Sequence, residues 1–270
     1  MLKLMYITNR PDVAQIAESA GVDRIFVDME YIGKAARQGG MDTVQNHHTT
    51  ADIANVKKVL SSAEVLVRCN PINDYSQSEI DEAISNGADI LMLPYFKTAH
   101  EVKSFIDMVG GMAKVMPLVE TPEAVEVIDD ILALKGIDEI FIGLNDLSLG
   151  YGKRFMFELL ADGTVERLCL KFKQKGIPYG FGGIAALGKG VLPSEHVIKE
   201  HYRMGSTCVI LSRSFYNLDK AEETEKIRAA FTSGVREIRE LEAECEKYIS
   251  YFTENEHEVE RKIKMICAAM

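Results

Sequence analysis

Two carboxylates, Glu120 and Asp146, each follow a short apolar run. One run ends in Val119-Glu120-Thr121. The next leads into Gly143-Leu144-Asn145-Asp146-Leu147-Ser148-Leu149-Gly150. If the runs are adjacent parallel strands, both carboxylates reach one point in space. Two carboxylates suit a hard cation such as Mg²⁺ or Mn²⁺, with water or substrate oxygens in its remaining positions. The competing reading is helix capping, since Asp146 fits a helix start and Glu120 precedes Thr121-Pro122, itself a start signal. Arg68 leaves a third run as Val67-Arg68-Cys69-Asn70-Pro71. It would bind a carboxylate or stabilise charge developing on a carbonyl oxygen, or else form a salt bridge with Asp28 or Glu30. The stretch from Gly143 to Gly150 reads as a glycine-bounded loop whose backbone N–H groups would cradle a small carboxylate, although many turns share the pattern.

Other polar residues close apolar runs in the same way. They are Asp28 and Glu30, Tyr95 and Lys97, Gly182 and Gly183, and Ser212 and Arg213. Arg37 and Arg213 are candidate anion binders, for the distal carboxylate or phosphate of a substrate, or ordinary surface arginines. Lys97 could form a Schiff base, but Thr98-Ala99-His100-Glu101 after it reads as a helix start rather than a buried amine pocket.

The elements that must position these residues recur along the chain. Short runs rich in β-branched residues cover Leu2–Ile7, Arg24–Asp28, Val65–Arg68, Ile90–Leu93, Lys114–Val119, Glu139–Ile142, Pro178–Phe181 and Cys208–Leu211. Each suits a strand buried on both faces. Between them, three-to-four-residue apolar spacing predicts helices over Val13–Ala20, Ala51–Leu60, Gln77–Asn86, Ala99–Val109, Pro122–Leu134, Asp162–Lys175 and Glu195–Met204. Gly21-Val22-Asp23, Gly87-Ala88-Asp89 and Gly136-Ile137-Asp138 look like one device used three times: a glycine ends a helix, an apolar residue packs, and an aspartate leads into the strand. Eight alternating units predict a (β/α)₈ barrel with catalytic groups at the C-terminal strand ends. An open doubly wound sheet would need a Gly-rich dinucleotide turn after an early strand, and there is none. The expected division is a barrel domain over 1–218 and a helical extension over 219–270. That extension is rich in charge, with Ile227, Phe231, Val235, Ile238 and Leu241 at helical spacing. It reads either as a helix pair on its own barrel or as an oligomerisation element.

Composition narrows the partners. The chain has 270 residues, 47% hydrophobic and 27% charged, with a net charge of −10. Such acidity disfavours phosphate backbones, so no nucleic acid is expected. No run is long enough to span a membrane. The N-terminal apolar run is too short for a signal peptide. The five cysteines are widely spaced with no C-x-x-C pair, which fits a reducing cytoplasm.

With these residues in place, the chain resembles the HpcH/HpaI aldolase and citrate lyase β-subunit family. The likeness rests on Val119-Glu120-Thr121, on Gly143-Leu144-Asn145-Asp146-Leu147-Ser148, and on Val67-Arg68, in an order that matches from Ala14 to Phe215. The resemblance implies a metal-dependent carbon–carbon lyase that splits a 4-hydroxy-2-oxo acid into pyruvate and an aldehyde. The divalent metal would be Mg²⁺ or Mn²⁺, with Co²⁺ a further candidate. By the same resemblance Glu120 and Asp146 are the metal ligands, the Asn145 and Asp146 N–H groups hold the substrate carboxylate, and Arg68 stabilises the enolate oxygen. A homo-oligomer, trimer or hexamer, through exchanged C-terminal helices is also implied. Two departures stand out. The aldolases carry Asp-x-Glu-His after the second strand, whereas this chain has Asp28-Met29-Glu30-Tyr31. They often carry a glutamine two residues before the metal glutamate, where this chain has Leu118. A tyrosine is a poor base near neutral pH. His47 or His48, in the long loop after the second strand, is the substitute proton-transfer group, or else part of a solvated helix start. The alternatives are a citrate-lyase-like acyl-CoA lyase, faintly echoed by Asn70-Pro71, and a barrel that no longer catalyses.

Overall fold

A computed structural model describes residues 1–33, 48–216 and 223–270. Its strands are β1 (Lys3–Ile7), β2 (Arg24–Asp28), β3 (Glu64–Arg68), β4 (Ile90–Leu93), β5 (Lys114–Val119), β6 (Ile140–Ile142), β7 (Tyr179–Ile184) and β8 (Cys208–Leu211). All pair in parallel, each with its sequence neighbour, and β8 returns to β1 to close the barrel. The expected (β/α)₈ architecture is therefore observed. The described helices are α1 (Pro11–Ser19), α2 (Thr50–Val59), α3 (Ser76–Ser85), α4 (Ala99–Val109), α5 (Pro122–Glu126), α6 (Ile128–Ile131), α7 (Leu144–Gly150), α8 (Glu158–Ala161), α9 (Thr164–Lys175), α10 (Ser194–Met204), α11 (Thr224–Lys247) and α12 (Phe252–Ala269). None is long and apolar enough to cross a membrane.

Three expectations changed in detail. The segment from Pro122 to Leu134 is two short helices, because Val127 leaves the helical region (φ −100°, ψ 17°), within a run of β-branched residues that crowd the preceding turn. The stretch from Gly143 to Gly150 is a helix with Gly143 as its N-cap rather than a loop. Gly182 and Gly183 lie inside β7, not after it.

Strand alternation sorts the barrel residues into two sets. Outward residues such as Ile25, Val27, Val65, Val67 and Leu91 pack under the helices. Inward residues form a separate apolar cluster of Met5, Phe26, Leu66, Ile90, Met92, Met116, Leu118, Phe141 and Cys208. Below it, at the N-terminal strand ends, the buried Arg24 guanidinium meets Glu139 (2.8 Å) and Glu64 (2.9 Å). Lys114 and Lys3 complete that network.

The repeated Gly-x-Asp device has a single geometry. Each glycine has φ near +100°, a region that side chains avoid. Each aspartate then reaches back to the preceding strand. Asp23 Oδ2 accepts from the Leu4 N–H, Asp89 Oδ2 from Val65, and Asp138 Oδ2 from Val115, at 2.7–2.8 Å. Strands β2, β4 and β6 are thus locked to β1, β3 and β5 by the same polar clasp. At β8, Thr207 makes the corresponding link through Tyr179 O.

The C-terminal helices pack on their own barrel, α11 against α1 and α10, and α12 against α8 and α10. Buried Glu242 on α11 accepts from the Leu2 N–H (2.6 Å), while Arg239 donates to Leu2 O and pairs with Asp23. This helix therefore holds the first strand in place.

Arg24→Met leaves Glu139 buried without its main cation. Urea denaturation of this variant is expected to show a loss of about 3–5 kcal/mol.

Candidate active site

The inward parity that carries Phe26, Leu66 and Leu118 into the barrel interior also directs Asp28, Arg68 and Glu120, two residues further on, into its C-terminal mouth. Asp28 and Arg68 are register partners across β2 and β3. Arg68 Nε and one terminal nitrogen each donate to Asp28, both at 2.8 Å, a bidentate pair. Arg68 Nε also lies 3.4 Å from Glu30 Oε2, and the guanidinium stands 5.6 Å from the Phe26 ring centroid. Burial alone would favour a neutral guanidine, but Asp28, Glu30 and Glu120 outweigh it and hold the Arg68 pKa above its usual value. The salt-bridge reading of Arg68 is therefore observed. It also fixes the guanidinium at the mouth, among the groups that line the cavity there.

Glu120 is 3% exposed and Asp146 8%. Burial, the largest cause, pushes the Glu120 carboxyl up to about 8; Asp146 and Glu30 push the same way, and Arg68 opposes them. Glu120 Oε1 accepts from the Tyr95 backbone N–H at 2.9 Å. Tyr95 is the one non-glycine residue with positive φ (49°) among the described residues. A strained backbone at such a point is typical of a position the surrounding structure enforces. Nothing in a tyrosine's identity announces this role, so it is invisible in the sequence. Gly143 has a different function from the one expected. Its N–H donates to Val119 O, so it is not part of a carboxylate cradle. A Cβ there would stand 2.8 Å from Glu120 Oε2, so only glycine leaves room for the carboxylate. The N–H groups of Asn145 and Asp146 belong to the first turn of α7, where a helix supplies no carbonyl acceptor of its own.

Arg68, Glu120, Asn145, Asp146 and Arg213 together line a cavity of about 340 Å³ with Phe26, Leu118 and Phe141 among its apolar walls. Leu118 is thus buried beside the carboxylates. Tyr31 is 63% exposed, and its N–H, like that of Ile32, is held by Asn70 Oδ1. His48 is brought beside the cluster: its Nδ1 accepts from the Asp28 N–H at 3.0 Å. An accepting Nδ1 carries no hydrogen, so the neutral ring has its proton on Nε2. His47 and Arg37 lie outside the described residues. Lys97 is exposed and paired with Glu123 at 2.8 Å, which raises its pKa; an amine held protonated in this way is unsuited to Schiff-base chemistry.

The donor set fits a divalent cation. Two buried carboxylates, one held above its usual range by burial and like charge, leave excess negative potential that a cation would neutralise. Among the described residues no group of three or more His, Cys, Asp or Glu is arranged to hold a metal. Among the described residues Glu120 and Asp146 would be the ligands, with oxygens of water or substrate in the remaining positions.

Comparison with known proteins agrees with this fold. The model of the HpcH/HpaI aldolase/citrate lyase family matches residues 3–157. Among solved structures, an HpcH/HpaI aldolase from Desulfitobacterium hafniense DCB-2 superposes with a TM-score of 0.59 at 18% identity, covering 88% of this chain and 93% of that one. An HpcH/HpaI aldolase/citrate lyase family protein from Burkholderia cenocepacia J2315 gives 0.62 at 17% identity, covering 88% and 94%. At these identities the likeness establishes the fold. No curated protein gave a significant match.

The raised Glu120 pKa makes stability pH-dependent in a definite sense. In the metal-free protein the folded state binds the extra proton, so its stabilising effect is complete below about 4.5 and is lost as pH rises through about 8. Glu120→Gln is expected to remove up to about 1.4 kcal/mol per pH unit of that decline. Chemical denaturation between pH 5 and 8 in chelator checks it. Parallel curves for the two proteins would show that Glu120 ionises normally.

Proposed function

The chain belongs to the HpcH/HpaI aldolase/citrate lyase family, and on that premise we propose that it is a carbon–carbon lyase releasing pyruvate and an aldehyde from a 4-hydroxy-2-oxo acid. The observation that carries this reading is the juxtaposition of Glu120, Asp146 and Arg68 around one cavity. Glu120 and Asp146 would hold the divalent cation, Mg²⁺, Mn²⁺ or Co²⁺. When bound, that ion supplies Lewis-acid polarisation of the 2-oxo group.

This chain's residues do the remaining work. The first-turn N–H groups of Asn145 and Asp146 orient the substrate carboxylate. Cleavage breaks the C3–C4 bond, and its electron pair moves onto C3 and the 2-oxo oxygen as an enolate. Arg68, already positioned by Asp28, stabilises that oxygen electrostatically. Loss of the C4 hydroxyl proton yields the aldehyde carbonyl, and protonation at C3 completes pyruvate. Proton transfer is assigned to His47 or His48. His48 in its observed state presents Nε2–H as a donor, and it can accept a proton at Nδ1 only by giving up the Asp28 N–H. Asn70, the residue with a faint acyl-CoA-lyase echo, is explained by its hold on Tyr31, Ile32 and Glu79. A homo-oligomer built through the C-terminal helices belongs to the same reading. Exposed Tyr248, Ile249 and Met265 in this segment support it, and light scattering reads the mass.

Pyruvate methyl-proton exchange in deuterated buffer tests the core of the proposal without knowledge of the aldehyde. Exchange should require Mg²⁺, Mn²⁺ or Co²⁺, stop with chelator, and fall at least ~100-fold in Glu120→Gln. No exchange with any of the three metals sinks the aldolase reading. A melting shift with acyl-CoA in that case would point to thioester cleavage. Among the histidines, His47→Gln and His48→Gln are expected to separate the proton-transfer residue from its neighbour by a drop in turnover; unchanged turnover in both removes these two histidines from the mechanism.

A further inference from the structure

Main-chain pairing between β2 and β3 ends with the register pair Asp28 and Arg68, and with the Met29 N–H donating to Arg68 O at 3.0 Å. Beyond that point a side chain takes over. Asn70 is 3% exposed, and its Oδ1 accepts from the N–H groups of Tyr31 and Ile32, both at 3.0 Å. Its Nδ2 donates to both oxygens of Glu79, each at 3.2 Å, in the first turn of α3. An asparagine past a strand ordinarily turns the chain by accepting from its own backbone two residues on. Asn73 does so in this loop, accepting from the Tyr75 N–H at 2.8 Å. Asn70 reaches to the neighbouring strand end instead.

The partners leave the amide no choice of orientation. Two N–H donors need an oxygen and a carboxylate needs an NH₂ group, so Oδ1 faces Tyr31 and Ile32 while Nδ2 faces Glu79. Asparagine is the one side chain of this size that offers both. The segment held in this way begins at Glu30, which is 1% exposed. Its own N–H donates to Asp28 Oδ1 at 3.3 Å, the same oxygen that accepts from Arg68 Nε at 2.8 Å. Its carboxylate lies 3.4 Å from that Nε. Glu30 therefore meets Arg68 both directly and through Asp28, and Asn70 fixes the two N–H groups that follow it.

We infer that Asn70, oriented by Glu79, is a positioning residue that fixes Glu30 and, through it, the aim of the Arg68 guanidinium. This rests on the lyase reading above, in which Arg68 stabilises the enolate oxygen. Asn70 and Glu79 line no part of the carboxylate cavity, so their effect reaches the reaction only through the residues they hold. Stabilising a developing oxyanion requires the donor to be placed to within about 0.5 Å. Slack at Glu30 then lowers the rate of the chemical step and leaves substrate binding largely as it was.

The test exchanges donor and acceptor. Asn70→Asp sets a carboxylate against Glu79, and adding Glu79→Gln restores a donor–acceptor pair of reversed polarity. Glu79→Met, on the outer helix α3, takes away the orienting partner alone and serves where Asn70→Asp does not fold. Metal-dependent pyruvate enolisation is measured in the wild type and in each folded variant, with Mn²⁺ binding followed by EPR. Asn70→Asp should lower kcat at least ~10-fold and Glu79→Met by about threefold, with KM for pyruvate and Mn²⁺ affinity retained. The double variant should recover kcat to within about threefold of the wild type. An unchanged kcat in Asn70→Asp, or in Glu79→Met where the first does not fold, overturns the positioning role. So does a double variant as slow as Asn70→Asp, or a loss that falls on KM and Mn²⁺ affinity instead of kcat. Absence of enolisation in the wild type overturns the lyase reading, and the positioning role with it.

Discussion

In a closed barrel of eight strands, every second residue of each strand faces an interior filled by side chains. That alternation governs the placement of charge in this protein. Along β2 it orders Arg24, Phe26 and Asp28. Along β3 it orders Glu64, Leu66 and Arg68, and along β5 it orders Lys114, Met116, Leu118 and Glu120. Charge, apolar filling and charge again are thus stacked along one axis. The apolar layer separates two ionic networks with opposite balances. At the base, Arg24, Lys3 and Lys114 offset Glu139 and Glu64. At the mouth, Asp28, Glu30, Glu120 and Asp146 surround Arg68.

That imbalance is the electrostatic signature of the site. Arg68 is committed to Asp28 by a bidentate pair and to Glu30 by a longer one, so its charge is largely shared before Glu120 is considered. Glu120 is left buried with like-charged neighbours, and its carboxyl retains its proton to a higher pH than usual. The surrounding backbone makes room for it through the absent side chain at Gly143 and the strained turn at Tyr95. Local departures of this kind, against an otherwise regular barrel, are expected where function rather than stability selects the arrangement. A divalent cation would reverse the balance and make the two carboxylates an asset.

The barrel's regularity has its own source. Three Gly-x-Asp clasps, repeated at every second strand, tie neighbouring strands through side chain and main chain together. The first helix of the C-terminal segment adds a clasp of another kind, with Glu242 and Arg239 gripping the backbone of Leu2. Strand ends at the mouth are thereby held by a rigid frame. Their side chains reach the cavity from fixed positions, which catalysis by orientation requires.

Much of this was legible in the amino-acid order. Strand and helix periodicity fixed eight alternating units, and a parallel sheet of eight units closes in few other ways. Strand-end polarity brought Glu120, Asp146, Arg68 and Asp28 forward, because local pattern alone decides which residue ends a strand. What the order of residues left open were matters of three-dimensional neighbourhood. Whether Arg68 pairs with Asp28 depends on the β2–β3 register. Whether the segment after Gly143 is loop or helix depends on how it packs beside Glu120. Tyr95 adopts a conformation that its identity disfavours, and Gly143 is small because a side chain there would strike Glu120. Local sequence determines periodicity, polarity and strand ends; only the tertiary structure decides which charges share a cavity and which glycine makes room for a carboxylate, because both depend on atoms brought together from distant parts of the chain.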